Sequence, residues 1–408
     1  MSSRGLLFVL LLTVPIIAVI IFPQPLLPAQ DEAVNEFDYQ NAIWSMSRGD
    51  PRNSGVAESP PPKSGKLLWS AQIGTVIASA AASHGKIFVG TGEGDLVALG
   101  LKEGEVAWKR HVGLPLLSSP AIYQEEVLFG TFRNWKPSRP FIIDQREAGQ
   151  QESVVGNIPN SFYAVNAKDG TIIWEFRAGG NIFSSPTVSD GLVYFGALDG
   201  FVYALEADTG KLVWKTRTSG AVWSSPAVSD GLLIVGSDDN LLYAIDSKTG
   251  DVTWTYKSRF IFRSASPAIS GGLVFIGSFD ERVQALDQKT GELFWRASAK
   301  GPIFGSPAVT KHRVLIGSTD GYMYAFSSQS GAQLWSFRTG DQISSSPVVA
   351  GNMVVFGSDD GKIYALDVNT GELAWAYKTN KPVEASPVVI NGRVYIGSRD
   401  GNFYAIGG

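Results

Sequence analysis

The sequence predicts an all-β protein, an eight-bladed β-propeller of four-stranded antiparallel blades whose ring is closed by an N-terminal strand joining the C-terminal blade. Three observations carry that expectation. Tryptophan returns at Trp69, Trp108, Trp174, Trp214, Trp254, Trp295, Trp335 and Trp375, at intervals of 39, 66, 40, 40, 41, 40 and 40 residues. A period near 40 marks one supersecondary unit copied around a ring or along a rod. An alanine stands ten residues before the tryptophan in seven units, at Ala98, Ala164, Ala204, Ala244, Ala285, Ala325 and Ala365. It gives each flat indole a small neighbour to stack over, so that a large apolar surface is buried. The third observation is that the two ends of the array are complementary fragments. The last unit, Ala385 to Gly408, has three strands and no tryptophan strand, whereas the first tryptophan strand, Lys66 to Gln72, has no three strands before it. Joined, they make one composite blade and leave no open edge.

Turn residues divide each unit. Ser224-Ser225-Pro226-Ala227-Val228 opens an innermost strand, and Asp230-Gly231 is a hairpin turn. Leu232 to Gly236 forms a second, nearly all-apolar strand. Asp239-Asn240 turns the chain into a third strand, Leu241 to Asp246, and Lys248-Thr249-Gly250 turns it into a fourth, Asp251 to Lys257, which carries Trp254. Four short strands with turn residues every 8–12 positions constitute one propeller blade. In the turns Asp208-Thr209-Gly210, Lys289-Thr290-Gly291 and Asn369-Thr370-Gly371 the glycine supplies positive φ.

Three segments are expected: a signal or anchor over 1–29, an extended polar Pro-rich linker over 30–65, and the propeller over 66–408 with an insertion at about 133–160. Gly5 to Phe22 is an uncharged, Leu/Ile/Val-rich run of 18 residues preceded by Arg4 and followed by Asp31, Glu32, Glu36 and Asp38. It is longer than a signal core and at the short end for a spanning helix. An uncleaved anchor in the cytoplasmic membrane, with Arg4 inside, is the favoured reading, and a cleaved signal is the alternative. Either one exports the rest of the chain. The linker, with Ser59-Pro60-Pro61-Pro62, reads as an extended spacer that holds the globular part off the membrane. Trp44 within it lies outside the eight-fold register and is expected to pack on the globular body. A net charge of −4 offers no basic field for nucleic acid. The absence of cysteine excludes disulfides, thiolate metal sites, a cysteine nucleophile and a lipidated cysteine. Of three histidines, His84 and His312 fall at the same turn of different units, which argues against a histidine-based metal site or triad.

The stretch Tyr364-Ala365-Leu366-Asp367-Val368-Asn369-Thr370-Gly371-Glu372-Leu373-Ala374-Trp375 resembles the tryptophan-docking repeat of the PQQ-like β-propellers, and Trp44 to Gly55 resembles the lead-in common before them. The resemblance covers about residues 66–408. It implies one of two branches: quinoprotein dehydrogenases, which hold pyrroloquinoline quinone and calcium, or non-catalytic BamB-like envelope propellers, which are binding scaffolds in outer-membrane protein assembly. Compact spacing, the lack of a vicinal cysteine pair and the lack of a segment matching calcium-ligand or catalytic-aspartate contexts favour the second. The expectation is therefore a scaffold with no cofactor, no metal and no catalytic residue, bound to envelope proteins and held to the membrane by its N-terminal apolar segment. The alternative is a quinone-dependent oxidoreductase with its cofactor at the channel mouth.

Most recurring polar residues read as parts of the frame. The turn acids Glu93, Asp199, Asp239, Asp280, Asp320, Asp360 and Asp400 form hairpin turns, and the Ser-Ser-Pro triplets are strand starts. Departures from the frame are the candidate sites. The residue before each Ser-Ser-Pro equivalent is expected near the channel mouth. The position before that is apolar in seven units and is read as Arg263 in the eighth. Arg263, Trp223, Phe183, Phe304 and Glu384 are accordingly candidates to bind a small anionic or aromatic ligand, the plainer alternative being an arginine reaching solvent. The insertion, with Trp135, Lys136, Arg139 and Phe141, lies between the second and third strands of its blade, where partner specificity is expected. Cations at Arg177, Arg217, Lys257, Arg338 and Lys378 read as guards against edge pairing, or as a basic rim for an acidic partner.

Overall fold

Eight antiparallel sheets surround a central channel in the computed structural model, which describes residues 43–133, 160–263 and 265–407. The frame read at Ser224 has strands Ala227–Ser229, Leu232–Gly236, Leu241–Asp246 and Val252–Lys257. Numbered by their innermost strands, blade 1 begins at Ala81–Ser83, blade 4 at Ala227–Ser229, blade 5 at Ala268–Ser270, blade 7 at Val348–Ala350 and blade 8 at Val388–Ile390. Blade 8 is the composite: Leu67–Gln72 pairs antiparallel with Asn402–Gly407, setting Trp69 opposite Ala405. The same register sets Trp335 opposite Ala325 and Trp375 opposite Ala365. Among the described residues no helix is long and apolar enough to cross a membrane. The anchor expected within 1–29 lies outside the described residues.

The tryptophans join blade to blade. Each indole Nε1 donates to a backbone carbonyl of the following blade at 2.9 to 3.3 Å, from Trp69 to Leu101 through Trp335 to Val368. The ring also lies flat on the glycine of that blade's last turn. A Cβ on Gly371, which has a φ of 75°, would stand 2.7 Å from Trp335. The turn glycine is therefore required twice, for its backbone conformation and for the room it leaves. At the composite blade the N-terminal approach imitates this turn. Trp375 donates to Pro62 at 3.2 Å and packs on Gly65.

Four of the turn acids hold three groups each. Asp360 accepts from the Lys362 and Gly340 amides and from the Tyr364 hydroxyl, and Asp239, Asp320 and Asp400 repeat the pattern. Burial, then the hydrogen bond and charge of the aspartate, push these tyrosines far above the ordinary phenol range. The set ties the connector entering a blade to the turn between its second and third strands.

The stretch expected to be a spacer over 30–65 differs from that expectation across its described part. Trp44 and Met46 are buried, and the segment from Trp44 to Ala57 winds around the inner edges of the blades. Its carbonyls accept the mid-strand amides of Ala82, Ile122, Val228, Ile269, Val309 and Val349. Val56–Ala57 adds a parallel fifth strand to blade 7. The physical reason is that a ring of innermost strands presents unpaired amides to the channel, and a coiled segment satisfies them. Arg48 donates through Nη2 to Pro307 and Pro347, and Asn53 donates to Pro226 and Pro267.

Candidate functional site

One end of the channel is thus filled by the lead-in segment, and the other opens as a cavity of about 140 Å³ with Ser47 and Arg48 at its lining. Its wall begins with a collar of serines, one per blade. The amide of Ser79 donates to the hydroxyl oxygen of Ser119, and the relay continues through Ser185, Ser225, Ser266, Ser306 and Ser346 to Ser386 at 2.8 to 3.0 Å. Ser79 Oγ is buried without a partner, so the seam between blades 8 and 1 is the break in the relay. The preceding serine acts within its own blade: Ser184 Oγ donates to the Gly196 carbonyl and accepts the Gly196 amide. Ser-Ser-Pro therefore does more than start strands. At Ser118-Ser119 and Ser184-Ser185 one hydroxyl fastens two strands of a blade and the next accepts from the blade before, whereas Ser224 Oγ is buried without a partner.

Arg48 is fully buried, and its Nε and Nη1 have no hydrogen-bond partner. Burial, opposed by the charge of Asp50, lowers its pKa to about 9.

Above the collar the lining is zoned. Ile77, Leu117, Phe183, Trp223 and Phe304 supply one side, and Gln342, Ser344 and Glu384 the other. Trp223, Phe183, Phe304 and Glu384 are therefore brought to one cavity, as the sequence places them. Phe132 joins the aromatic side, 6.4 Å from Phe183 and 6.1 Å from Trp223 between ring centres, and Phe183 and Trp223 stand 5.6 Å apart. Phe279 meets Phe304 edge-on at 4.8 Å. On the polar side Glu384 pairs with Arg399 at 2.8 Å, both side chains being 11% exposed. Asp359 accepts from Gln342 Nε2 at 2.6 Å, while its Oδ1 is buried without a partner. Burial foremost, with the nearby charges of Glu384 and Asp341, raises Asp359 to about 6 against the hydrogen bond from Gln342. Burial also raises Glu384, against the pull of Arg399.

Arg263 requires a correction. It does not hold the apolar position that Val222, Ile303 and Ile343 hold in their blades. Phe262 does, fully buried, with its amide on the Ser237 carbonyl as Val222 has its amide on Ala197. The 41-residue interval places its extra residue here, which frees Arg263 from the core. Arg263 instead pairs with Asp238 at 2.8 Å and lies 5.4 Å from the Trp223 ring centre. Trp223 Nε1 donates to the same Asp238.

Reading the sequence by a single ring of positions left out Phe132, Asp238, Phe279, Asp359 and Arg399. All five begin the turn after a blade's second strand, just past Gly-Thr or Gly-Ser. Leu198 and Thr319 occupy the same position elsewhere, so its variety within a fixed frame is the signal that would have found them. Trp135, Lys136, Arg139 and Phe141 lie outside the described residues. The insertion's roots do not: they leave Glu126–Gly130 and enter Ser161–Asn166, the second and third strands of blade 2. Arg133 and Asn181 exchange hydrogen bonds beside the aromatic side.

Pyrroloquinoline quinone with calcium would need a larger cavity and more free oxygen ligands than the described residues of the mouth present. The cavity is smaller than the ~300–1,000 Å³ of pockets that enclose ligands of that size. Calcium takes 6–8 oxygen ligands, yet Glu384, Asp238 and Asp359 are each engaged by a neighbouring side chain. Among the described residues no group of three or more His, Cys, Asp or Glu side chains is placed to hold a metal ion.

Comparison with known proteins gives two family matches. Residues 138–386 match the family model described as beta-alanine-activating enzyme, beta-propeller, and residues 53–138 match that of outer membrane protein assembly factor BamB. A curated relative, outer membrane protein assembly factor BamB of Shewanella oneidensis, is 25% identical over 134 residues, which are 31% of this chain and 31% of the relative. The chain thus matches about a third of that relative's length. Among solved structures, BamB from Moraxella catarrhalis superposes with a TM-score of 0.65 at 18% identity, over 83% of this chain and 98% of that one. Quinohemoprotein alcohol dehydrogenase from Comamonas testosteroni superposes with a TM-score of 0.71 at 14% identity, over 89% and 80%. At such identities these structures share the fold alone. With well over half of its length matched by one model and its blades in the docking register throughout, the chain belongs to the β-propeller family of the beta-alanine-activating enzyme, as a PQQ-like propeller of BamB-like build.

Proposed function

We propose that the chain is a non-catalytic binding scaffold of the cell envelope, exported and tethered through residues 5–22, whose channel mouth receives a side chain or short loop of a protein partner. The observation that carries this reading is the build of the mouth. A rigid collar supports an aromatic side next to a polar side, and the carboxylates at the mouth, Glu384, Asp238 and Asp359, are already engaged by Arg399, Arg263 and Gln342. Such a pocket recognises shape and one apolar anchor, as interface hot spots do. It offers no free acid and base pair at hydrogen-bond reach of one another. The described roots of the insertion, at Arg133 and Ser161, stand on the same face beside Phe132. The match to an outer membrane protein assembly factor supports an envelope setting. With no cysteine to lipidate, the tether in this reading is the N-terminal apolar segment.

The test places a photo-crosslinking phenylalanine analogue at position 183 of the full chain in cells. A discrete protein adduct, lost when Trp223→Asp is added, is the expected result. Stoichiometric uptake of pyrroloquinoline quinone with calcium, together with alcohol-dependent dye reduction, would overturn the scaffold reading.

A further inference from the structure

Three of the gaps between neighbouring blades hold an aromatic pair near the outer rim. Phe176 meets Tyr203 at 5.6 Å, Phe337 meets Tyr364 at 5.7 Å, and Tyr377 meets Tyr404 at 5.7 Å. Between blades 4 and 5 the pair is missing its second ring. Gln284 stands where the tyrosine would, and Tyr256 donates its hydroxyl to Gln284 Oε1 at 2.6 Å. An open crevice of about 380 Å³ lies here.

Four cations line that crevice, Lys257, Arg259, Arg282 and Arg296, with Asp280 as its one carboxylate. Asp280 is occupied by Ser278 and by Arg282, 3.6 Å away. Lys257 and Arg296 are exposed and have no side-chain partner among the described residues. Elsewhere on the rim Arg177 faces Glu175 at 3.9 Å, Lys378 donates to the Asp360 carbonyl and Arg338 lies 6.0 Å from the Tyr322 ring centre. Arg217 on blade 3 is, among the described residues, a strand-end cation without companions in a crevice. A local excess of positive charge in a chain of net charge −4 asks for an anionic partner.

The partner's shape follows from the adjoining strand. Leu293–Ser298 is the outermost strand of blade 5, paired on one side only, with Arg282–Asp287. Along it Phe294 (61% exposed), Arg296 and Ser298 alternate onto one exposed side. An open edge offers amides and carbonyls to an added strand. Phe294 offers an apolar anchor, and the guanidinium forks match carboxylates bidentately.

We propose that this rim is a docking site for an extended acidic peptide segment of a partner, laid along the edge of Leu293–Ser298 with its carboxylates in the crevice between blades 4 and 5. The site is separate from the channel mouth, so it stands whether or not the mouth binds a partner. An extended segment is favoured over a membrane or a nucleic acid because the cations converge in a cleft beside one strand edge, whereas the chain as a whole repels polyanionic surfaces.

The test uses the full chain and a fluorescent eight-residue peptide of alternating Glu and Val, with anisotropy as the readout. Binding should weaken with salt and fall at least tenfold when Gln replaces Glu in the peptide. Arg296→Glu and Lys257→Glu should each weaken it severalfold, and Arg217→Glu on blade 3 should leave it unchanged. Both crevice residues are exposed, and an unaltered thermal melt verifies the fold of either variant. Equal binding of the Gln peptide, equal loss with Arg217→Glu, or no loss with both crevice variants would overturn the proposal. So would phosphatidylglycerol vesicles or single-stranded DNA held more tightly than the peptide with the same dependence on Arg296.

Discussion

Blade 5 and blade 7 are built on one frame and finished differently. Both receive an indole from the blade before, Trp254 on Gln288 and Trp335 on Val368, and both set it over a turn glycine. Both contribute a serine to the collar. Yet blade 7 has the full Asp360–Tyr364 tie, whereas blade 5 has Gln284 in place of the tyrosine and an extra residue before Ala265. At the mouth, blade 7 presents Asp359 where blade 5 presents Phe279. The difference separates two kinds of position. Those that dock one blade on the next are held everywhere, and those that finish the turns and rim are free to vary, which is where binding surfaces arise.

The largest expected effect tests the shared frame. Trp254→Ala and Trp335→Ala should each cost about 3–5 kcal/mol in urea unfolding, since each removes a large indole and the interblade hydrogen bond it makes. A cost below ~1 kcal/mol at Trp254 alone would mean that blade 5 is docked by other means and that the frame is not common.

Asp359→Asn tests the contrast at the mouth. An acid whose folded pKa is raised to about 6 holds a proton that the unfolded chain has released, so its cost to stability grows as pH rises from the unfolded value to about 6 and then stays constant. Removing the charge should therefore stabilise the protein by ~1–2 kcal/mol at pH 7.5 and by almost nothing near pH 3.5. A gain that did not change with pH would assign the effect to packing.

The collar supplies an internal control. Ser266→Ala leaves the Ser225 amide without its acceptor and should cost about 1–2 kcal/mol. Ser79→Ala removes a hydroxyl that accepts from no neighbour and should change chemical-denaturation midpoints by less than the equivalent of ~0.5 kcal/mol. Equal costs would show that the relay contributes nothing at its links. Gln284→Tyr should act in the opposite direction, since it gives blade 5 the ring that blade 7 has. The Tyr377–Tyr404 pair shows that two tyrosines fit the equivalent gap between blades 7 and 8, and a gain of ~0.5–1 kcal/mol in thermal and urea stability is expected.

The blade number, the strand bounds around Ser224 and the composite blade were legible because each rests on a pattern of period 40 that local turn chemistry reinforces. Mouth residues such as Trp223 and Glu384 were legible by register alone. Arg263 was misread for the same reason. Counting back from Ser-Pro aligned it with Val222, and only the hydrogen bond of Phe262 to Ser237 reveals the added residue. The coil around the channel from Trp44 to Ala57 was not legible, because its partners are backbone amides of six different blades and leave no periodic trace in the segment itself. Pro and polar residues there suit a coil that winds around a ring as well as they suit a spacer.

The bond from Trp375 to Pro62 spans 313 residues of chain. At ~5–20 residues per second, a ribosome needs tens of seconds to make the second partner after the first. Throughout that delay Leu67, Leu68 and Trp69 belong to a strand with nothing to pair with, while the coil before it meets its rim one blade at a time. The molecule is therefore assembled like a bracelet whose clasp is cast first and fastened last. Losing the final strand would not give a slightly shorter bracelet but an open one, with two raw strand edges and an unlined hole through its middle.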